Sequence, residues 1–427
     1  MKNFWFYAYN IVVFPLLIVI ARGASIFNRK LRDGFRDRMQ LFDTLETSLA
    51  QTGSKAPRVW FHVSSLGEFE QAKPIIQTVK TNYPDGTVIV TFFSPSGYRH
   101  SKNYKFADII SYIPVDSRRL ARKFIDIVKP DAAIFIRYDI WPNHIWALAD
   151  SGIPRILSSA TMREKSIRLI PVLRSFHRHL FNLFTVILTI TDYDVRQFKR
   201  FGLSEPLIEE AGDTRYDQVL ERSKGAQKTE LLPDGITRRK KVLVIGSSWF
   251  EDEEHLIPAL KNLYKEEKNL FTILAPHEPN EQNLERIEKQ LGSEIPNIRF
   301  SHLNSFNNEK LIIVDSVGIL VTLYKYAHVA FIGGGFKTKV HNVLEAAVYG
   351  IPVVFGPHHA NSQEAVELAR RKGGFVVTDR QSLQAILQRL FSDTQFRKQT
   401  GAVCRQLVKE NAGATNRIMR HLKKSIR

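Results

Sequence analysis

Short apolar runs broken by glycine, proline and serine recur along most of the chain, and their spacing predicts strands alternating with helices. Strands are expected at residues 59–63, 88–93, 108–113, 132–136, 155–158 and 186–191, and residues 207–217 close this first series. A second series follows at 242–245, 271–275, 311–314, 329–332 and 353–355. Between them lie helical patterns at 69–82, 120–128, 142–150, 167–183, 193–201, 253–266, 281–291 and 319–326, with late helices at 383–390 and 397–411. Near-continuous apolar strands separated by helices argue for parallel sheets covered on both faces. No fixed-period repeat or low-complexity tract interrupts the alternation. The expected architecture is α/β: two doubly wound domains facing a cleft, with ligands outside the carboxyl ends of the strands.

One stretch breaks the pattern. Residues 4–21 are apolar apart from Asn10 and the tyrosine hydroxyls, about 27 Å of helix and close to the thickness of a bilayer core. Arg22, Arg29, Lys30, Arg32, Arg36 and Arg38 follow, which by the positive-inside rule puts everything downstream in the cytoplasm. Pro15 and the aromatic cluster Phe4, Trp5, Phe6 and Tyr7 suit a helix lying in the interface equally well, so spanning and lying both stay open. The expected organisation is an anchor at 1–22, a basic segment at 23–54, a first domain at 55–217, a linker at 218–240 and a second domain at 241–427. The basic tail 421–427 reads as frayed.

At 427 residues the chain exceeds one ordinary core, which fits two domains. Its net charge of +18 calls for anionic partners: nucleic acid, anionic lipid or a phosphorylated substrate. The basic residues are scattered rather than gathered into a stripe with interleaved aromatics, which argues against nucleic acid. A single cysteine, Cys404, permits no internal disulfide and no cysteine-based zinc site. A lone D-x-D, Asp192 to Asp194, is the one carboxylate spacing that suggests a metal. Helix capping by Asp192 is the preferred account, so no metal is expected.

Candidate chemistry concentrates in two places. At residues 329–361 a strand stops at Gly333-Gly334-Gly335, and His341 and Asn342 lead into a helix with Asn342 as N-cap and Glu345 three residues on. A helix start beside glycines favours phosphate; a plain turn with a capping box is the bland alternative. At residues 62–68, H-V-S-S-L-G-E places Glu68 just after a strand end, as a carboxylate aimed into the cleft or as a first-turn glutamate facing the helix dipole. Ser247 and Ser248 follow the first strand of the second half, and His277 the next strand. A polar turn and a loop-packing histidine explain them equally well.

Taken in order, H-V-S-S-L-G-E, then Trp141-Pro142-Asn143, then G-G-G, H-N-x-L-E-A-A, G-x-P and G-P-H resemble the 3-deoxy-D-manno-octulosonic acid (Kdo) transferases of lipopolysaccharide synthesis, two-domain GT-B glycosyltransferases. Two weaker matches are Ala160-Thr161-Met162-Arg163 and residues 212–217. The resemblance implies Glu68 as general base, and a CMP site formed by Gly334, Gly335, His341, Asn342, Glu345, Ser247, Ser248 and His277. It places Ser65, Arg137, Asp139 and Arg163 toward the acceptor or Kdo. Here Asp139 and Arg137 stand where the family pattern has two glutamates. Arg137 then binds an anionic substrate group or forms a salt bridge with Asp139. The implied activity is inverting, metal-independent transfer of Kdo from CMP-Kdo to the lipid A precursor at the cytoplasmic face of the inner membrane. No cofactor is implied.

Overall fold

The computed structural model describes residues 2–53 and 56–426. Ser54 and Lys55, at the expected start of the first domain, and Arg427 of the basic tail lie outside the described residues. The chain divides into two compact units, residues 1–218 with 412–427, and residues 219–411.

The first unit holds a seven-stranded sheet of β1 (Arg58–Val63), β2 (Thr87–Phe92), β3 (Ile109–Tyr112), β4 (Ala132–Ile136), β5 (Arg155–Ala160), β6 (Val186–Thr189) and β7 (Leu207–Glu210). The strands run in the order β3-β2-β1-β4-β5-β6-β7, all parallel. Successive side chains point to opposite faces, so Trp60 and Phe135 join one core while Phe61 and Ile134 join the other. Both faces are covered, which is why the strands read as unbroken apolar runs.

The second unit repeats the plan with β8 (Lys241–Ser248), β9 (Leu270–Pro276), β10 (Asn297–Arg299), β11 (Leu311–Ile313), β12 (Val329–Ile332), β13 (Val353–Phe355) and β14 (Gly374–Val376). Their order is β10-β11-β9-β8-β12-β13-β14, again parallel. In each sheet the order reverses beside the first strand, between β1 and β4 and between β8 and β12. In each sheet taken by itself, side chains just past the two strands at the reversal flank a crevice.

Four expectations need correction. The helix expected at 167–183 splits into a short 3₁₀ turn Ile167–Leu169 and a helix Pro171–Phe181, because Pro171 starts a new helix at its first position. The linker expected at 218–240 is in its first part a helix, Thr214–Gln227, that runs across the boundary between the units. The tail is an ordered helix, Ala414–Ser425, whose Ile418, Met419 and Leu422 are buried in the first unit's core. Asp217 holds its start, accepting from the Gly413 and Thr415 amides at 2.5 and 2.7 Å. Finally, the helix after Ile190 is capped by Thr191 with Asp194, while Asp192 pairs with Arg196.

Candidate functional site

In the first unit, β1 runs out at Val63 and the helix Leu66–Asn82 begins two residues later, which carries Glu68 on its first turn. The carboxylate folds back so that its Oε2 accepts from the Ser64 amide at 2.5 Å. One oxygen caps the turn, and the group sits at the carboxyl end of β1. The residue is only 6% exposed. Burial pushes the Glu68 carboxyl above its usual value of 4.5; the Ser64 amide opposes this, Asp139 adds to it and Arg137 opposes it. Such a carboxylate is a stronger base than a surface glutamate. Ser65 is the N-cap by position, but its hydroxyl makes no capping bond.

Asp139, past β4, is held by a relay that the sequence did not announce. Trp60 Nε1 donates to Thr91 Oγ1 at 2.8 Å, and Thr91 lies 3.0 Å from His62 Nδ1. If Thr91 gives its proton to Nδ1, the proton on His62 sits on Nε2 and is donated to Asp139 Oδ2 at 3.0 Å. Trp141 Nε1 donates to the same oxygen at 3.1 Å. Burial raises the Asp139 carboxyl, but the bonds from His62, Trp141 and Ser64 outweigh it and the net shift is downward. Asp139 thus stays ionised beside Glu68.

Arg137 does not pair with Asp139, whose partners are His62 and Trp141. Its backbone is left-handed at φ +66°, which turns the side chain out of the strand line. Its buried Nε has no hydrogen-bond partner among the described residues. Arg168, not foreseen as a site residue, lies with its guanidinium 5.0 Å from the Tyr138 ring, and Asp139 acts on its charge. Arg163 is exposed, and its contribution to local structure is a backbone carbonyl that accepts from Ser166.

In the second unit the three glycines each have a packing reason. A β-carbon on Gly333 would lie 2.3 Å from the Ser247 carbonyl oxygen, Gly334 is left-handed at φ +86°, and Gly335 packs against the Gly356 backbone. The Gly334 amide is already taken: Asp252, fully buried, accepts from Gly334 at 2.7 Å, Trp249 at 2.9 Å and Phe336 at 3.1 Å. Ser248 is likewise engaged, donating to buried Glu253 at 2.8 Å. The Gly334 amide and the Ser248 hydroxyl thus hold the turn together. Ser247 is half-buried and left-handed at φ +56°.

Around that turn stand aromatic rings. Trp249 stacks on His277 with centroids 4.4 Å apart, and His277 stacks on His341 at the same spacing. Trp249 Nε1 donates to His341 Nε2 at 2.9 Å, so the proton of neutral His341 resides on Nδ1. Burial, with His277 and Lys339 nearby, pushes His341 down to about 4, and burial also lowers His277. Positive charge comes instead from Lys337, whose Nζ lies 3.4 Å from the centre of the Trp249 ring. Asn342 and Glu345 lie next along the chain, but the helix there is only Leu344–Ala347 with Val343 at its N-cap. Asn342 accepts from the Leu344 amide at 3.1 Å and donates to Glu345 at 3.2 Å, so it braces the short turn without being its N-cap. Glu345 also meets Arg222 at 3.5 Å.

Two seven-stranded parallel sheets, each with polar groups at its switch point, define a GT-B protein. Solved structures of that kind overlay on it. UDP-GlcNAc 2-epimerase from Neisseria meningitidis does so with a TM-score of 0.60 at 14% identity, over 86% of this chain and 100% of that one. MurG of Acinetobacter baumannii does so with a TM-score of 0.53 at 16% identity, over 86% and 99%. These likenesses speak for the fold alone. Residues 34–218 match the family model described as 3-deoxy-D-manno-octulosonic-acid transferase (kdotransferase). The 3-deoxy-D-manno-octulosonic acid transferase of Haemophilus influenzae is 22% identical over 99% of this chain and 98% of its own length. That of Aquifex aeolicus is 28% identical over 78% and 86%. Over these spans the chain is similar to the Kdo transferases.

Proposed function

We propose that this protein transfers Kdo from CMP-Kdo to the lipid A precursor, lipid IV-A, with inversion and without a metal, at the cytoplasmic face of the inner membrane. The observation that carries the reading is Glu68: a carboxylate at the carboxyl end of β1, with its proton affinity raised by burial and by Asp139. Glu68 takes the proton of the acceptor sugar hydroxyl as that oxygen attacks the anomeric carbon of Kdo. The bond from that carbon to the phosphate oxygen breaks on the opposite side, and CMP leaves. Attack from the face opposite the leaving group inverts the centre. Arg137, with its unpartnered Nε, suits the carboxylate of Kdo or a phosphate of the acceptor.

The second unit holds CMP in this reading. Ser247, Gly335, His277, His341 and Lys337 face the phosphate, and Glu345 and Asn342 face the ribose. His341 is neutral and donates through Nδ1, so phosphate charge is met by Lys337 and by oriented N–H groups. Membrane association through Phe4–Phe27, apolar and almost wholly exposed, brings the lipid acceptor within reach. The test is mass spectrometry of the product made from CMP-Kdo and a defined lipid IV-A, with UDP-sugars in parallel. Addition of Kdo from CMP-Kdo alone supports the reading; transfer from a UDP-sugar alone overturns it.

A further inference from the structure

The apolar N-terminal helix is fastened to the first unit in a way that decides how it meets a membrane. Residues 2–27 form one helical rod: Lys2–Tyr7, a π-helical segment Ala8–Val13, and Phe14–Phe27. The wide turn of the π segment carries Tyr9 and Asn10, and both are bonded to the globular body. Tyr9 donates to the buried Asp116 carboxylate at 2.8 Å, and the other oxygen of Asp116 meets His144 Nδ1 at 2.7 Å. Asn10 donates to Asn143 Oδ1 at 3.1 Å. Phe6 sets its edge against Trp146, and Tyr9 stacks on Phe176.

Past Phe14 the rod leaves the body. Leu16, Leu17, Val19, Ile20, Ile26 and Phe27 are each more than half exposed. The chain turns at Asn28 and returns through the helix Arg29–Asp37 to a second fastening. There the Tyr112 hydroxyl donates to Asp37 at 3.0 Å, and Arg38 donates to the carbonyls of Phe93 and Ile113 at 2.7 and 2.9 Å. Phe93 follows β2, Tyr112 ends β3, Ile113 and Asp116 follow it, and Asn143 lies beyond β4. All are at the carboxyl ends of parallel strands, the end that carries Glu68.

A segment fastened at both ends to one face of a folded unit starts and finishes on the same side of a membrane. Crossing over residues 4–21 would drag the Tyr9 hydroxyl, and with it Asp116, Asn143 and His144, into hydrocarbon. The free part, Phe14–Phe27, is 14 residues, about 21 Å of helix against a core of about 30 Å. Its far end carries exposed Arg22, Arg29 and Arg32, and exposed Arg118 lies over the Phe6 ring. These cations match anionic headgroups.

We propose that residues 14–37 are a re-entrant finger that lies in one leaflet of an anionic bilayer and does not span it. Its apolar sides enter the acyl boundary and its arginines reach lipid phosphates. This rests on the membrane reading above and refines it, because the finger leaves the body at the end of the sheet where Glu68 stands. The experiment is cysteine accessibility in the full-length chain, since Cys404 is buried and silent. Phe4→Cys, Tyr7→Cys and Phe27→Cys are each expressed in Gram-negative cells whose outer membrane is permeabilised and inner membrane intact. A membrane-impermeant maleimide is added before or after detergent lysis. The expected result is membrane fractionation, background labelling of all three before lysis and labelling of all three after it. Labelling of any of them from outside overturns the proposal. Recovery in the soluble fraction overturns the membrane reading and the finger with it. Failure to transfer Kdo with the labelling pattern unchanged overturns the activity and leaves the topology standing.

Discussion

At the scale of single residues, two charges of opposite sign tune Glu68. Asp139 raises its proton affinity and Arg137 lowers it, on top of the rise from burial. A general base works only when deprotonated, so the acid limb of the kcat/KM profile should inflect above 4.5. Asp139→Asn removes a negative neighbour and should move that inflection to lower pH; Arg137→Gln removes a positive one and should move it to higher pH. Profiles of the two variants beside wild type check both signs, and a common inflection in all three contradicts the assignment. Glu68 itself was legible in the sequence because a strand, a glycine turn and a carboxylate follow one another directly. The relay from Trp60 through Thr91 and His62 to Asp139 was not, because its members come from two strands, β1 and β2, and the loop after a third, β4. Trp249 and Asp252 carry a sign readable in the sequence: an acid three residues after the residue that follows a strand, at a capping-box spacing.

At the scale of elements, the glycine turn after β12 is held by Asp252 as well as by its own hydrogen bonds. Asp252→Ala leaves the buried Gly334 amide and the part-buried Trp249 and Phe336 amides without an acceptor, so a stability loss of about 1–3 kcal/mol is expected for the buried one. Thermal melting should show it as a lowered transition. An unchanged transition would mean that water replaces the carboxylate. The N-terminal helix makes a parallel case. Composition alone suggested a membrane anchor, yet Tyr9 is bonded to buried Asp116. Tyr9→Phe should therefore destabilise the first unit, by about 1.5–3 kcal/mol for a hydrogen bond to a charged acceptor. Denaturant unfolding of the variant measures it, and wild-type stability would show that the fastening contributes nothing. Strand positions were legible because buried parallel strands are uniformly apolar. The π segment was not, since Tyr9 and Asn10 look like ordinary interruptions until Asp116 and Asn143 are placed beside them.

At the scale of the whole molecule, the chain visits the first unit, builds the second and returns. The returning helix Ala414–Ser425 contributes Ile418, Met419 and Leu422 to the core of the first sheet. Its basic, amphipathic sequence looked like a loose end because the surface it covers lies some 200 residues earlier, around Asp217 and Ala211. Ending the chain at Asn411 should uncover that core and abolish cooperative unfolding of the first unit; a cooperative transition preserved in the truncated chain would contradict the packing. The full-length chain is therefore the form in which to test function. The most direct measurement is single-turnover transfer from saturating CMP-Kdo to saturating lipid IV-A, wild type beside Glu68→Gln, with CMP affinity measured on both. Wild type should transfer Kdo, while Glu68→Gln should bind CMP normally and transfer about 10²- to 10⁴-fold more slowly. No transfer by wild type, or transfer by Glu68→Gln at the wild-type rate, would contradict the account.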